Sequence, residues 1–475
     1  MFSTILLAIF LLSLVTNWYS LLVKSLMIVL LVMVLDKLGK GIVLREMIAF
    51  HSAFICLAMP LLGYAQYTRV DTTARLWVRY MLVPEDVYFG FALPAVSAFV
   101  FAICLPLTSR KSADHGEHLN ALVARVKAIL KQPQIKIRGI YIIIIGLVML
   151  FLSNFLPVEV RFIAVLFFFA AFAGVLYVYY SESFRFRVPV LVAFILFIMA
   201  NALRSGMFTM VAYMGITMFS FIFLGTKTNF IKKTFFFLIG VFILFLIQSV
   251  KPDYRAATWG NEQSRGESNA EIFVGLLSEK LSGGSIFSKQ AFFWIYYRTN
   301  QGFNVSLVMR RIPRVQPFDG GIHLMRAAAS SLVPRFLWPD KPEAGGKFNM
   351  KYYAGRTIKG WSTNVGPLGE AYGSFGRSGG IIFMLCLGFF IRWAYKLAFI
   401  IARRIPLVIC WLPVLFYQVT YSAETDTLQI MNSLVKSATF MWVLYNIVPG
   451  WFNAVKSGGK KVVMKQHPHI SQSVS

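Results

Sequence analysis

Apolar stretches long enough to cross a bilayer recur along the whole chain, and they limit what it can fold into more than any motif does. They run roughly Met1 to Val15, Trp18 to Leu35, Ile42 to Tyr64, Tyr88 to Leu107, Gly139 to Leu156, Phe162 to Tyr180, Val188 to Leu203, Met207 to Leu224 and Phe235 to Ser249. Three more follow at Gly380 to Ile400, Pro406 to Thr420 and Leu434 to Val448. By the length needed to span hydrocarbon this predicts an all-α polytopic membrane protein of about twelve helices. With 57% hydrophobic and 14% charged residues, the chain is too apolar for a soluble globular domain. The opening "MFSTILLAIFLLSL" has no basic start and no small-residue cleavage site, so it reads as a retained span rather than a signal peptide.

The formal charge of +27 arises from short basic clusters between the apolar runs, where orientation signals belong, and no basic soluble domain or RNA-binding motif is present. Nucleic acid is therefore not expected as a partner. With the N-terminus placed in the cytoplasm, the loops carrying Lys37, Lys40 and Arg45, then Arg110 to Arg138, Arg185 and Arg187, Lys227 to Lys233, and Lys396 to Arg404 all fall inside, as does the basic tail. On this register residues 1–250 hold nine helices. Residues 251–378 form a long periplasmic or extracellular loop before the last three helices of 379–450, and 451–475 is a cytoplasmic tail.

Within that loop, Ser268 followed by Glu271 in "SNAEIFVGLLSEKL" predicts a capping box opening an amphipathic helix, and "HLMRAAASSLV" predicts a second short one. Cys56, Cys104, Cys386 and Cys410 all lie in apolar runs, which indicates neither a disulfide framework nor a zinc site. The acid pairs Glu85/Asp86 and Glu424/Asp426 are too common a turn feature to predict a metal, and no cofactor fingerprint such as a P-loop or dinucleotide motif occurs.

Four groups carry candidate chemistry. Arg204, in "LRSGMFTM", stands at a span end, where an arginine either holds a ligand or snorkels to headgroups. Arg298, Arg310, Arg311 and Arg314 concentrate in one stretch of the long loop, and guanidinium suits pyrophosphate oxygens. "LVPRFLWPDKPEAGG" sets Arg335 and Lys341 among Pro334, Trp338, Pro339 and Pro342, a backbone fixed without secondary structure; it is either a cation-holding site or a rigid connector. "GPLGEAYGSFGRSGG" puts Glu370 and Tyr372 among glycines that admit close approach, with Glu370 either a base or an ion-pair partner.

Taken together, the many-helix plan with a late outside loop, "LRSGMFTM", "VPRFLWPDKP" and "GPLGEAYGSFGRSGG" resemble the bacterial oligosaccharide repeat-unit polymerases of the O-antigen (Wzy-type) family. The resemblance covers about the last three fifths of the chain. It implies an inverting, membrane-embedded glycosyltransferase at the outer face of the inner membrane. The growing glycan would move from undecaprenyl pyrophosphate to the next lipid-linked repeat unit of an O-antigen, common antigen or exopolysaccharide. It implies pyrophosphate contacts from Arg204, Arg298, Arg335 and Lys341, with Arg310, Arg311 and Arg314 behind them, and Glu370 or His323 as general base. The site would be shaped by Pro334, Trp338, Pro339, Pro342 and Tyr372. No metal or cofactor is implied; partners would be lipid-linked oligosaccharides, membrane lipids, a chain-length regulator and a flippase. An O-antigen ligase and a lipid-linked oligosaccharide flippase are the alternatives.

Overall fold

The computed structural model describes residues 1–67, 81–107, 115–181, 184–205, 208–224, 228–259, 268–284, 287–333, 337–342, 345–358, 363–457 and 460–463. In chain order the helices are α1 (Phe2–Val15), α2 (Tyr19–Lys37), α3 (Leu44–Gln66), α4 (Glu85–Cys104), α5 (His115–Leu130), α6 (Pro133–Leu152), α7 (Val158–Tyr180) and α8 (Arg187–Ser205). They continue with α9 (Thr209–Ile222), α10 (Phe230–Trp259), α11 (Asn269–Ser282), α12 (Lys289–Thr299), α13 (Gly302–Arg311), α14 (Ile322–Leu332), α15 (Gly346–Tyr352), α16 (Gly366–Arg404) and α17 (Thr427–Ile447). Strands β1 (Ala454–Ser457) and β2 (Lys460–Val463) pair antiparallel, Ala454 opposite Val463, near the C-terminus.

Among the described residues eight segments are long and apolar enough to cross a membrane, and three shorter apolar helices accompany them, an architecture compatible with a polytopic membrane protein. One of the eight, Pro406–Glu424, reads in sequence as an ordinary spanning helix but is built differently: a 3-10 turn at Pro406–Trp411, one α turn at Leu412–Leu415 and a second 3-10 turn at Val419–Glu424. Pro406 and Pro413 each remove a backbone donor. The broken backbone is tolerated because 78% of the segment is buried in protein rather than facing lipid. A second break lies in α16 at Gly376, whose φ of 66° is left-handed and separates a short helix carrying Glu370 from the long one that follows.

The chain divides into two compact units. In the smaller, comprising Glu117–Val192, Tyr395–Leu415 and Lys436–Ser475, α6 and α7 pack backbone to backbone through glycines. A side chain at Gly146 would meet the Phe167 carbonyl at 2.7 Å, and one at Gly174 would meet that of Gly139 at 2.6 Å. Tyr177 donates to the Trp451 carbonyl at 2.7 Å and accepts from Trp411 Nε1 at 3.0 Å.

The larger unit, comprising Met1–Gly116, Ala193–Ala394 and Phe416–Val435, is built round α4, 89% of whose span is buried. The α4 end has its carbonyls satisfied by two arginines: Arg45 donates to Ile103 and Leu105 at 2.8 and 2.9 Å, and Arg392 to Leu105 at 3.2 Å. By contrast α10 is only 11% buried, and Phe235, Leu238 and Phe242 are exposed, as suits a lipid-facing helix.

A π turn at Phe54–Ala58 interrupts α3. Its carbonyls find outside donors: the Gln301 amide donates to Ile55 at 3.1 Å and the Tyr88 hydroxyl to Cys56 at 2.7 Å. Gly302 permits this approach, since a Cβ there would collide with the Pro60 ring and lie 2.6 Å from the Tyr88 hydroxyl. Residues 300–302, at the α12 to α13 turn, therefore lodge among the apolar helices. The predicted capping box is formed, Ser268 Oγ accepting from the Glu271 amide at 3.3 Å and Glu271 from the Ser268 amide at 2.7 Å. All four cysteines are free.

Candidate functional site

Ser422 to Thr427, "SAETDT", is the segment on which two polar clusters of the larger unit meet. On one side Glu424 accepts from Arg298 at 3.4 Å and lies 3.9 Å from His51 Nε2. The Tyr213 hydroxyl also donates to Glu424, and its ring sits edge-on to His51 at 5.5 Å and stacks on Tyr421 at 4.6 Å. Lys251 and Arg255, one helical turn apart on α10, lie within electrostatic reach of Arg298, and Lys251 also of Glu424. Lys251 is 6% exposed, whereas the Arg298 side chain is 44% exposed, so the cluster opens at Arg298. Glu424 raises the Arg298 pKa further above its ordinary value, keeping the guanidinium charged.

On the other side Asp426 caps α17: its Oδ1 accepts the Gln429 amide at 2.6 Å, while Oδ2 accepts from Asn364 and the Gly345 amide, each at 2.9 Å. Burial pushes the Asp426 carboxyl up, and those hydrogen bonds pull it back only in part. Glu370, 3% exposed, accepts from Asn349 at 2.8 Å on one oxygen and from the Thr427 amide and hydroxyl at 2.9 and 2.6 Å on the other. Gln301 and Asn304 complete the network by donating to the Asn364 carbonyl at 2.9 and 3.0 Å. Short segments of four helices and the connections leading into them are thus tied together, with every Glu370 oxygen engaged.

Of the residues expected from sequence, the structure joins Arg298 to Glu424 and sets Glu370 in the network just described. His323 stacks on Phe348 at 4.4 Å and Tyr352 at 4.9 Å. Partial burial pushes its imidazole below the ordinary value, Asp319 pulls it up, and Arg326 adds to the downward push. Asp319 in turn accepts from Tyr352 and Tyr353, each at 3.4 Å, and Tyr353 meets Ser374 at 3.0 Å. Tyr372 is half-buried, with its ring 5.0 Å from Phe91. Lys341 donates to the Ser330 and Val333 carbonyls at 3.0 and 2.9 Å, closing the end of α14, and Trp338 carries Arg326 over its ring at 5.8 Å.

Arg204, Arg310 and Arg314 are exposed, and Arg311 is half-buried against Gly355. Pro339 and Pro342 flank Lys341; Pro334 and Arg335 lie outside the described residues.

Sequence reading passed over His51, Tyr213, Lys251 and Arg255, and the amides Asn349 and Asn364. His51 did carry a signal: an ionisable residue within an apolar run, "AFHSAF", is a functional candidate by position alone. The spacing of Lys251 and Arg255 was legible too, once α10 is known to continue beyond the apolar stretch. Among the described residues no group of three metal-ligating side chains comes together.

No curated protein and no solved structure matches the chain. The profile of a family described as a domain of unknown function (DUF8712) matches residues 120–448, which is more than half of the chain and includes Arg298, Glu370 and Glu424. The chain belongs to that family.

Proposed function

We propose that the protein polymerises lipid-linked oligosaccharide repeat units by inverting glycosyl transfer, moving the growing glycan from undecaprenyl pyrophosphate to the next lipid-linked unit. The observation that carries this reading is the gathering of Lys251 and Arg298 around the carboxylate Glu424, with Arg255 near Arg298, within a bundle of apolar helices. Cations held in a low-dielectric setting favour an anion there, and a pyrophosphate attached to a polyprenyl chain is an anion that arrives from the membrane. In the transition state negative charge grows on the departing pyrophosphate. Fixed guanidinium and ammonium groups stabilise it without reorganising.

Arg298 is the residue that binds the leaving group first, since it is the exposed end of the cluster. Arg204, Arg310, Arg311, Arg314 and Arg335 then supply a wider positive field that draws the anionic lipid in. Lys341, committed to two carbonyls, and Glu370, committed to three donors, shape the site rather than react. The group of His323, Phe348 and Tyr352 offers flat aromatic faces on which a sugar can lie. The site faces outward, both termini are cytoplasmic, and the membrane is the inner membrane of a bacterium. The distribution of lysine and arginine between spans supports the orientation, and the resemblance to oligosaccharide repeat-unit polymerases supports the bacterial inner membrane.

The test is extension by the purified protein in liposomes, supplied with lipid-linked oligosaccharide extracted from a strain that cannot lengthen it. The reading predicts a ladder of longer lipid-linked chains, and a rate lowered about 100-fold by Arg298→Ala. Transfer of the oligosaccharide across the bilayer without extension would contradict it and identify a flippase.

A further inference from the structure

We infer that His51 is the general base of this site, oriented by Glu424, and that Nδ1 is the nitrogen that takes the acceptor's proton. The inference rests on the glycosyl-transfer reading and adds to it a residue outside the matched family region.

Three observations converge. His51 Nε2 lies 3.9 Å from Glu424 Oε1, within ion-pair distance, and Glu424 is itself anchored by Arg298 and Tyr213. His51 Nδ1 is buried and has no hydrogen-bond partner among the described residues, an arrangement that is costly unless a ligand group completes it. Third, His51 stands shortly before the π turn of α3, and its neighbour Ser52 lines a narrow, largely apolar cleft together with Cys56, Ser422, Ala423, Phe99 and Leu387. Ser422 Oγ, two positions before Glu424 in the chain, is also buried with no partner among the described residues.

In the proposed tautomer the proton sits on Nε2, on the side of Glu424, and Nδ1 is the basic nitrogen. The acceptor sugar hydroxyl gives its proton to Nδ1 as its oxygen bonds to the anomeric carbon of the donor. The bond from that carbon to the pyrophosphate oxygen breaks, and its electron pair leaves on the lipid pyrophosphate, facing Arg298 and Lys251. Glu424 stabilises the imidazolium until its proton passes to water. The charged and titratable groups facing His51 are Glu424 and Tyr421 from the 3-10 turn, Tyr213 from α9, Arg298 from α12 and Lys251 from α10.

The liposome extension assay, run with the same extracted lipid-linked oligosaccharide across pH, tests this. His51→Asn and His51→Gln are expected to lower the rate by about 10²–10⁴-fold. Both should retain protection against heat unfolding by added inorganic pyrophosphate, which reports an intact fold and anion site. Wild-type rate should fall as the pH drops and the imidazole becomes charged. In Glu424→Gln that fall should move to lower pH, because the lost carboxylate no longer favours the imidazolium. Wild-type extension by His51→Asn, or a Glu424→Gln profile that loses rate without moving, overturns the assignment of His51 while leaving polymerisation standing. If the wild-type protein itself extends nothing, it is the glycosyl-transfer reading that fails.

Discussion

Glu370 and Glu424 show how two buried carboxylates fifty-four positions apart are given different work by their neighbours. Glu424 faces Arg298, Lys251 and an imidazole, whereas Glu370 accepts from neutral donors, two from Thr427 and one from Asn349, and has a second buried carboxylate, Asp426, nearby. Removing the charge from Glu370 therefore tests a structural role. In Glu370→Gln one oxygen still accepts from Thr427, but the new amide meets the Asn349 amide donor to donor, and Asn349 cannot turn over without losing its bond to Asn364 at 3.3 Å. We predict a loss of about 1–3 kcal/mol, read as a lower unfolding temperature of the detergent-solubilised protein. The anion site should be untouched in the molecules that remain folded, so pyrophosphate protection persists. An unchanged unfolding temperature would show that the network is not fastening these segments.

The helices were legible from hydropathy because burial in lipid or protein leaves long apolar runs, and most such runs, Pro406 to Thr420 apart, overlap a single described helix. Ends and breaks were not. Helix α10 runs ten residues beyond its apolar stretch because Lys251, Arg255 and Tyr254 continue its inner face, and polarity alone looked like the start of a loop. Pro406–Glu424 has the composition of a span and the backbone of a buried, broken one, a difference that depends on neighbours distant in sequence. The arginines of the long loop were legible as a concentration of charge, but their sorting was not. Arg298 meets Glu424 only because the α12 to α13 turn lodges against the π turn of α3. That docking predicts its own point of failure: Gly302→Val drives a branched side chain into Pro60 and Tyr88. It should destabilise the protein by about 1–3 kcal/mol and lower extension more than the loss of folded protein explains, because Arg298 moves with the turn. Full activity per folded molecule would separate the turn from the site.

The larger unit gathers every residue assigned a part here, from His51 near the start of the chain to Thr427 near its end, so the site is a product of tertiary folding and not of any one loop. The resemblance read from motifs concerned the later part of the chain, and the family match spans residues 120–448. The parts given to His51 on α3 and to Lys251 and Arg255 on the polar end of α10 came into view only with the fold. What the assembled molecule does in its cell is the central claim, and one measurement bears on it directly. The gene is deleted from its native host and the surface glycan is resolved on a gel, with the wild type and Arg298→Ala returned on a plasmid. Polymerisation predicts single repeat units in place of a ladder, with the ladder restored by the wild type and not by Arg298→Ala. An undisturbed ladder in the deletion strain, or full-length chains stranded on the lipid carrier, would contradict it.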